Sequence, residues 1–109
     1  SKFKVARPSE IPVGTLAVFE RQKVFVFHSP RGFFAMSSIC THLGCMTRYE
    51  AAKKRIFCPC HGSAFDAEKG EVTGGPAPRP LQRLKLSFEK GYLVVDTRAP
   101  AGSGEVLTV

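Results

Sequence analysis

The sequence predicts an all-β fold, a small antiparallel β-sandwich whose chemistry sits on two successive hairpin loops. Three observations lead there. Short runs of β-branched and aromatic residues recur, clearest at Leu16-Ala17-Val18-Phe19 and Lys23-Val24-Phe25-Val26-Phe27. Pro and Gly turn signals punctuate the runs. The one segment with helical promise, Ala51-Ala52-Lys53-Lys54, is too short to stand alone.

In chain order, Ser1 to Gly14 contains Pro8 and Pro12 and reads as an extended entry with turns. The two runs named above are the first strands. Ser29-Pro30-Arg31-Gly32 is a tight reversal, and Gly32 to Ser37 a third strand. A cysteine- and histidine-bearing stretch follows from Ile39 to Met46, on the loop after that strand. Thr47 to Lys54 is polar. Arg55-Ile56-Phe57 delivers a second such stretch, and Ala64-Phe65-Asp66 leaves it. Gly74-Gly75-Pro76-Ala77-Pro78-Arg79-Pro80 is a stiff loop, because its prolines remove donors and fix φ. Leu81 to Phe88 and Tyr92 to Val95 form a C-terminal hairpin around Glu89-Lys90-Gly91. Val106-Leu107-Thr108-Val109 is expected to add an edge strand.

Length points to a single domain over 1–109, with the two cysteine- and histidine-bearing loops within about 38–81. No apolar run approaches the ~20 residues of a membrane span. The first residues do not look like a signal peptide or anchor, so the chain is soluble as it stands or an anchoring segment has been removed. Sixteen Lys and Arg against 9 Asp and Glu give a formal charge of +7. The bases are scattered without interleaved aromatics, which argues against nucleic acid and for a solvated basic surface. An acidic partner protein is the other reading of that charge, with Lys53, Lys54 and Arg55 as its candidate contacts.

All four cysteines and two of the three histidines fall in Cys40-Thr41-His42-Leu43-Gly44-Cys45 and Cys58-Pro59-Cys60-His61-Gly62-Ser63. The remaining histidine, His28, reads as an ordinary, partly exposed one. Four cysteines are compatible with a disulfide framework, a metal site or both, but two disulfides leave the histidines unexplained. Cys40, His42, Cys58 and His61 satisfy a tetrahedral zinc, which stays open as an alternative. Against zinc, each loop mixes its ligand types and Cys45 and Cys60 are surplus. Gly62 and Ser63 also offer hydrogen bonds to something richer in acceptors than a bare cation. A [2Fe-2S] cluster accounts for all of this, with Cys40 and Cys58 on one iron and His42 and His61 on the other. Neutral imidazoles in place of thiolates raise the potential of such centres to roughly −150 to +300 mV.

The two boxes resemble, without a substitution, those of Rieske iron–sulfur proteins of the quinol-oxidising cytochrome bc and b6f type. Gly75-Pro76-Ala77-Pro78-Arg79-Pro80-Leu81 is similar to the proline-rich loop that covers the cluster in that family. The resemblance implies a Cys45–Cys60 disulfide, which Rieske ferredoxins and ring-hydroxylating oxygenases generally lack, and hence an oxidising, periplasm-like compartment. It implies that the Ser63 hydroxyl donates to a bridging sulfide and raises the potential. Phe65 stands where high-potential members carry a Tyr that donates to a ligating sulfur, which implies a lower potential suited to menaquinol.

The resemblance further implies that His61 bonds the quinol hydroxyl and accepts its proton. His42 is then the other exposed ligand, and Leu43 helps seal the docking surface. The expected function is electron transfer from quinol to a c-type cytochrome, beside cytochrome b, in a cytochrome bc-type complex. The chain is not expected to be catalytic alone, and membrane association would come only through an anchor absent from it. The alternative is a soluble Rieske carrier or the small subunit of an arsenite-oxidase-like enzyme.

Overall fold

A computed structural model describes all residues, Ser1–Val109. Ten strands form two antiparallel sheets. They are β1 (Lys2–Ala6), β2 (Leu16–Phe19), β3 (Val24–Ser29), β4 (Gly32–Ser37), β5 (Arg48–Glu50), β6 (Arg55–Phe57), β7 (Ala64–Asp66), β8 (Val72–Gly74), β9 (Arg83–Glu89) and β10 (Tyr92–Pro100). The larger sheet has the order β1-β10-β9-β4-β3-β2, and the smaller runs β5-β6-β7-β8 in sequence. Short 3-10 turns at Pro8–Glu10 and Ala51–Lys53 are the only helical pieces. No helix is long and apolar enough to cross a membrane.

The near-continuous apolar run of β3 has a structural cause. Side chains alternate across a strand, and here both faces of β3 and β4 are covered. Phe25 and Phe27 of β3, with Phe34 and Met36 of β4, pack in one cluster with Ile56 and Phe65 of the smaller sheet and with Cys58 just after β6. Val24 and Val26, with Phe33 and Ala35, pack in a second cluster with Ala6, Leu84, Leu93 and Val95. β3 and β4 are therefore the shared wall between a scaffold core and a core beneath the two cysteine loops.

Turn chemistry sets the registers. Lys90 and Gly91 both have positive φ, 52° and 88°, as a two-residue hairpin of right-handed strands requires, and Glu89 pairs with Tyr92. At the β3–β4 reversal the Ser29 hydroxyl accepts from the amides of Arg31 and Gly32 and donates to the Gly32 carbonyl.

Three expectations are corrected. The entry segment contains a true strand, since β1 pairs with β10. Its alternation was masked by Lys2, Lys4 and the flanking prolines. Val106–Val109 forms no edge strand: only an isolated bridge, Phe33 with Leu107, ties it down. The polar Thr47–Lys54 stretch contains β5, which pairs with β6 and closes on the ion pair of Glu50 with Arg55.

Candidate metal centre

The two cysteine loops share one backbone design. In the first, the Cys40 amide donates to the Cys45 carbonyl and the Gly44 amide to the Cys40 carbonyl, at 2.8 and 3.1 Å. In the second, Cys58 donates to Ser63 and Gly62 to Cys58, at 2.8 and 3.0 Å. Each loop thus spans six residues with a buried cysteine at its first position and a glycine at its fifth. Those glycines, Gly44 and Gly62, have φ of 76° and 81°, a region costly for other residues. The histidine occupies the third position of the first loop and the fourth of the second, which is the difference between Cys-x-His and Cys-x-x-His.

The structure brings the predicted residues together. Cys40 and Cys58 are free thiols, 3% and 2% exposed. The rings of His42 and His61 lie edge to face with centroids 4.9 Å apart. His61 is exposed, whereas His42 is half-buried, so the two imidazoles are not equally presented. Leu43, the residue after His42 in the first loop, is 66% exposed. Cys45 and Cys60 are joined as a disulfide across the loops. The sulfurs of Cys45, Cys58 and Cys60 lie within 4.8 Å of one another, and with two of them bonded only Cys58 keeps a free thiol. Burial pushes the Cys58 thiol up, the Cys60 amide pulls it back, and the neighbouring Cys40 thiol pushes it up again.

The proline-rich loop is fastened to both cysteine loops. The Ala77 amide donates to the Ser63 hydroxyl at 3.1 Å, and the Thr41 hydroxyl to the Arg79 carbonyl at 2.7 Å. Gly75 packs so tightly on the second loop that a Cβ there would fall 2.5 Å from the Ser63 Cα. Thr41 and Gly75 were not singled out from sequence; the sole signal was a Thr between two candidate ligands. His28 takes no part: it stacks on Phe33 and its Nδ1 lies 2.7 Å from the Ile11 carbonyl.

The donor set fits a [2Fe-2S] cluster. Two buried thiols and two adjacent imidazoles would supply the Cys₂His₂ ligation of such a centre. Ser63 is 1% exposed. Its oxygen accepts from Ala77, and its own proton has no acceptor within the protein. A buried hydroxyl proton without an acceptor is costly, and a bridging sulfide would supply one.

The sequence profile of the Rieske [2Fe-2S] domain matches residues 1–85. Over 97 residues the chain is 37% identical to the cytochrome b6-f complex iron-sulfur subunit of Chlorobaculum tepidum, covering 87% of this chain and 53% of that protein. Over 82 residues it is 48% identical to the cytochrome bc1 complex Rieske iron-sulfur subunit of Corynebacterium efficiens, covering 72% and 20%. The chain thus spans about half of the first relative and a fifth of the second. A chain of a hyperthermophilic respiratory complex III superposes with a TM-score of 0.62 at 29% identity, covering 83% of this chain and 71% of that one. The soluble domain of Rieske protein II from Sulfolobus acidocaldarius, at 20% identity, shares the fold with a TM-score of 0.59, covering 87% and 76%.

Proposed function

Since the chain belongs to the Rieske [2Fe-2S] domain family, we propose that it takes an electron and a proton from quinol and passes the electron to a c-type cytochrome. It would do so beside cytochrome b in a cytochrome bc-type complex. All of 1–109 is assigned to this one domain, with the cluster loops within about 38–81. Cys40 and Cys58 would hold one iron, and His42 and His61 the other. When bound, the cluster supplies a one-electron redox centre.

The observation that carries the reading is the asymmetry of the tip. His61 and Leu43 are both exposed, while both thiols are buried. An exposed ligating imidazole offers its second ring nitrogen to a quinol hydroxyl, which it holds and whose proton it takes up. Leu43 gives the partner an apolar contact that excludes water. The disulfide, which Rieske ferredoxins and oxygenases generally lack, favours this role over a soluble ferredoxin-type carrier, and the His61-Gly62-Ser63 string with the Gly75–Pro78 loop favours it over an arsenite-oxidase-like small subunit. It also favours an oxidising compartment such as the periplasmic side of a bacterial membrane. Phe65, fully buried in the same core cluster as both thiols, has no hydroxyl to donate to sulfur, which favours a low-potential quinol such as menaquinol.

Anaerobic stopped-flow mixing tests the proposal. The reduced domain should pass its electron directly to ferricytochrome c. Reduction of cytochrome c by a menaquinol analogue should require membranes containing cytochrome b. A reduced domain that fails to reduce any c-type cytochrome would refute it.

A further inference from the structure

Beside the first cysteine loop, whose Thr41 lines one of them, two open depressions of about 400 Å³ and 370 Å³ lie between the segment after β10, the Lys69 turn and the start of β9. Both are lined by Lys69, Arg83, Ser103 and Gly104, so they are two lobes of one groove with Arg83 at its waist. Arg79 adds a cation to the first lobe and Arg31 to the second, while Glu71 and Glu68 are the only carboxylates on the walls. None of the four cations is ion-paired. The ion pairs of the chain lie elsewhere, at Ser1 with Asp96, Lys2 with Glu89, and Glu50 with Arg48 and Arg55. The nearby Asp66 carboxylate is already committed to the amides of Lys69 and Glu71.

Arg83 is the most constrained of the four. Its guanidinium lies 3.7 Å from the Phe34 ring centroid, and Nη2 donates to the Lys69 carbonyl at 3.2 Å. A guanidinium has five N–H donors, and the others find no acceptor in the protein. Burial pulls its pKa below the ordinary guanidinium range, with Asp66 and Glu71 partly opposing. A half-buried, rigidly stacked guanidinium without a counter-ion is a preformed fork for a carboxylate or phosphate.

We propose that this groove binds a small organic polyanion with two oxyanion groups, of the di- or tricarboxylate or bisphosphate class. Arg83 and Lys69 grip it at the waist, and Arg79 receives the group in the first lobe. A single oxyanion would fill a small part of either lobe, and the cations stand on both sides of the waist, so two linked groups match the charge and the shape.

Isothermal titration of the cluster-loaded protein with pyrophosphate and with citrate, at constant ionic strength in sodium chloride, tests this. One of the two should bind saturably at one site per chain. Arg83→Gln and Arg79→Gln should each weaken it at least ten-fold, while Arg55→Gln, outside the groove, changes it less than two-fold. Arg79 is exposed and its side chain forms no hydrogen bond or ion pair within the protein, so its substitution reads out the site even if Arg83→Gln disturbs folding. Absence of saturable binding by both anions, or equal affinity in the Arg79→Gln and Arg55→Gln proteins, overturns the proposal.

Discussion

Replacing both Cys45 and Cys60 by serine isolates what the inter-loop tether contributes. The two residues are 15 apart in sequence. In the chain-entropy account a loop of that length restricts the unfolded chain by roughly 10 cal/mol/K, or about 3 kcal/mol at 25 °C. Cys60 is exposed and Cys45 half-buried, so the loss of packing is small and the tether dominates. For 109 residues, ~2.1 cal/mol/K each gives an unfolding entropy of ~0.23 kcal/mol/K, so the midpoint should fall by about 13 °C. Differential scanning calorimetry of both cluster-loaded proteins measures this directly. A fall below about 4 °C, equivalent to ~1 kcal/mol, would show that the loops are held by their hydrogen bonds and the proline-rich loop instead.

Other perturbations probe separate parts of the account. Gly75→Ala puts a Cβ 2.5 Å from the Ser63 Cα at a φ of 79°, so the cover must lift off the second loop. Destabilisation of roughly 2–4 kcal/mol and reduced iron incorporation should follow, whereas Gly74→Ala, with open space around it, should be much milder by both measures. Ser63→Ala should lower the midpoint potential and Phe65→Tyr raise it in protein-film voltammetry; an unchanged potential in both would remove the hydrogen-bond explanation. Glu50 is held below the ordinary carboxylate range by its hydrogen bond from Arg55, with the charges of Arg55, Lys53 and Arg48 assisting. A depressed folded-state pKa contributes stability above the unfolded value of 4.5, lost as pH falls through the lower folded value. Thermal midpoints of Glu50→Gln and the parent should therefore differ at neutral pH and converge below pH 4.5; a constant offset would contradict the pairing.

The site was more legible in the sequence than the scaffold around it. Metal ligands must be particular residue types at particular spacings, so Cys40, His42, Cys58 and His61 stood out without any structure. The Cys45–Cys60 pairing was carried by resemblance, since four cysteines alone permit several arrangements. Strands β2, β3 and β4 announced themselves as continuously apolar runs, β3 and β4 because both of their faces are covered. β1, β5 and β8 did not, because they are short or edge strands with exposed polar or charged positions, and only pairing with a neighbour defines them. The C-terminal Val106–Val109 misled in the opposite direction: an apolar run with β propensity makes a single bridge when no continuous edge receives it. The clamp of Thr41 on Arg79 and of Ser63 on Ala77 joins segments far apart in sequence, and no local pattern encodes such contacts.

The claim that these two loops hold a Cys₂His₂-ligated [2Fe-2S] cluster is tested most directly by iron, zinc and acid-labile sulfide analysis of the purified chain. The account predicts two irons and two sulfides per chain, falling together when Cys40 or Cys58 is replaced by serine. One zinc per chain with no labile sulfide would contradict it.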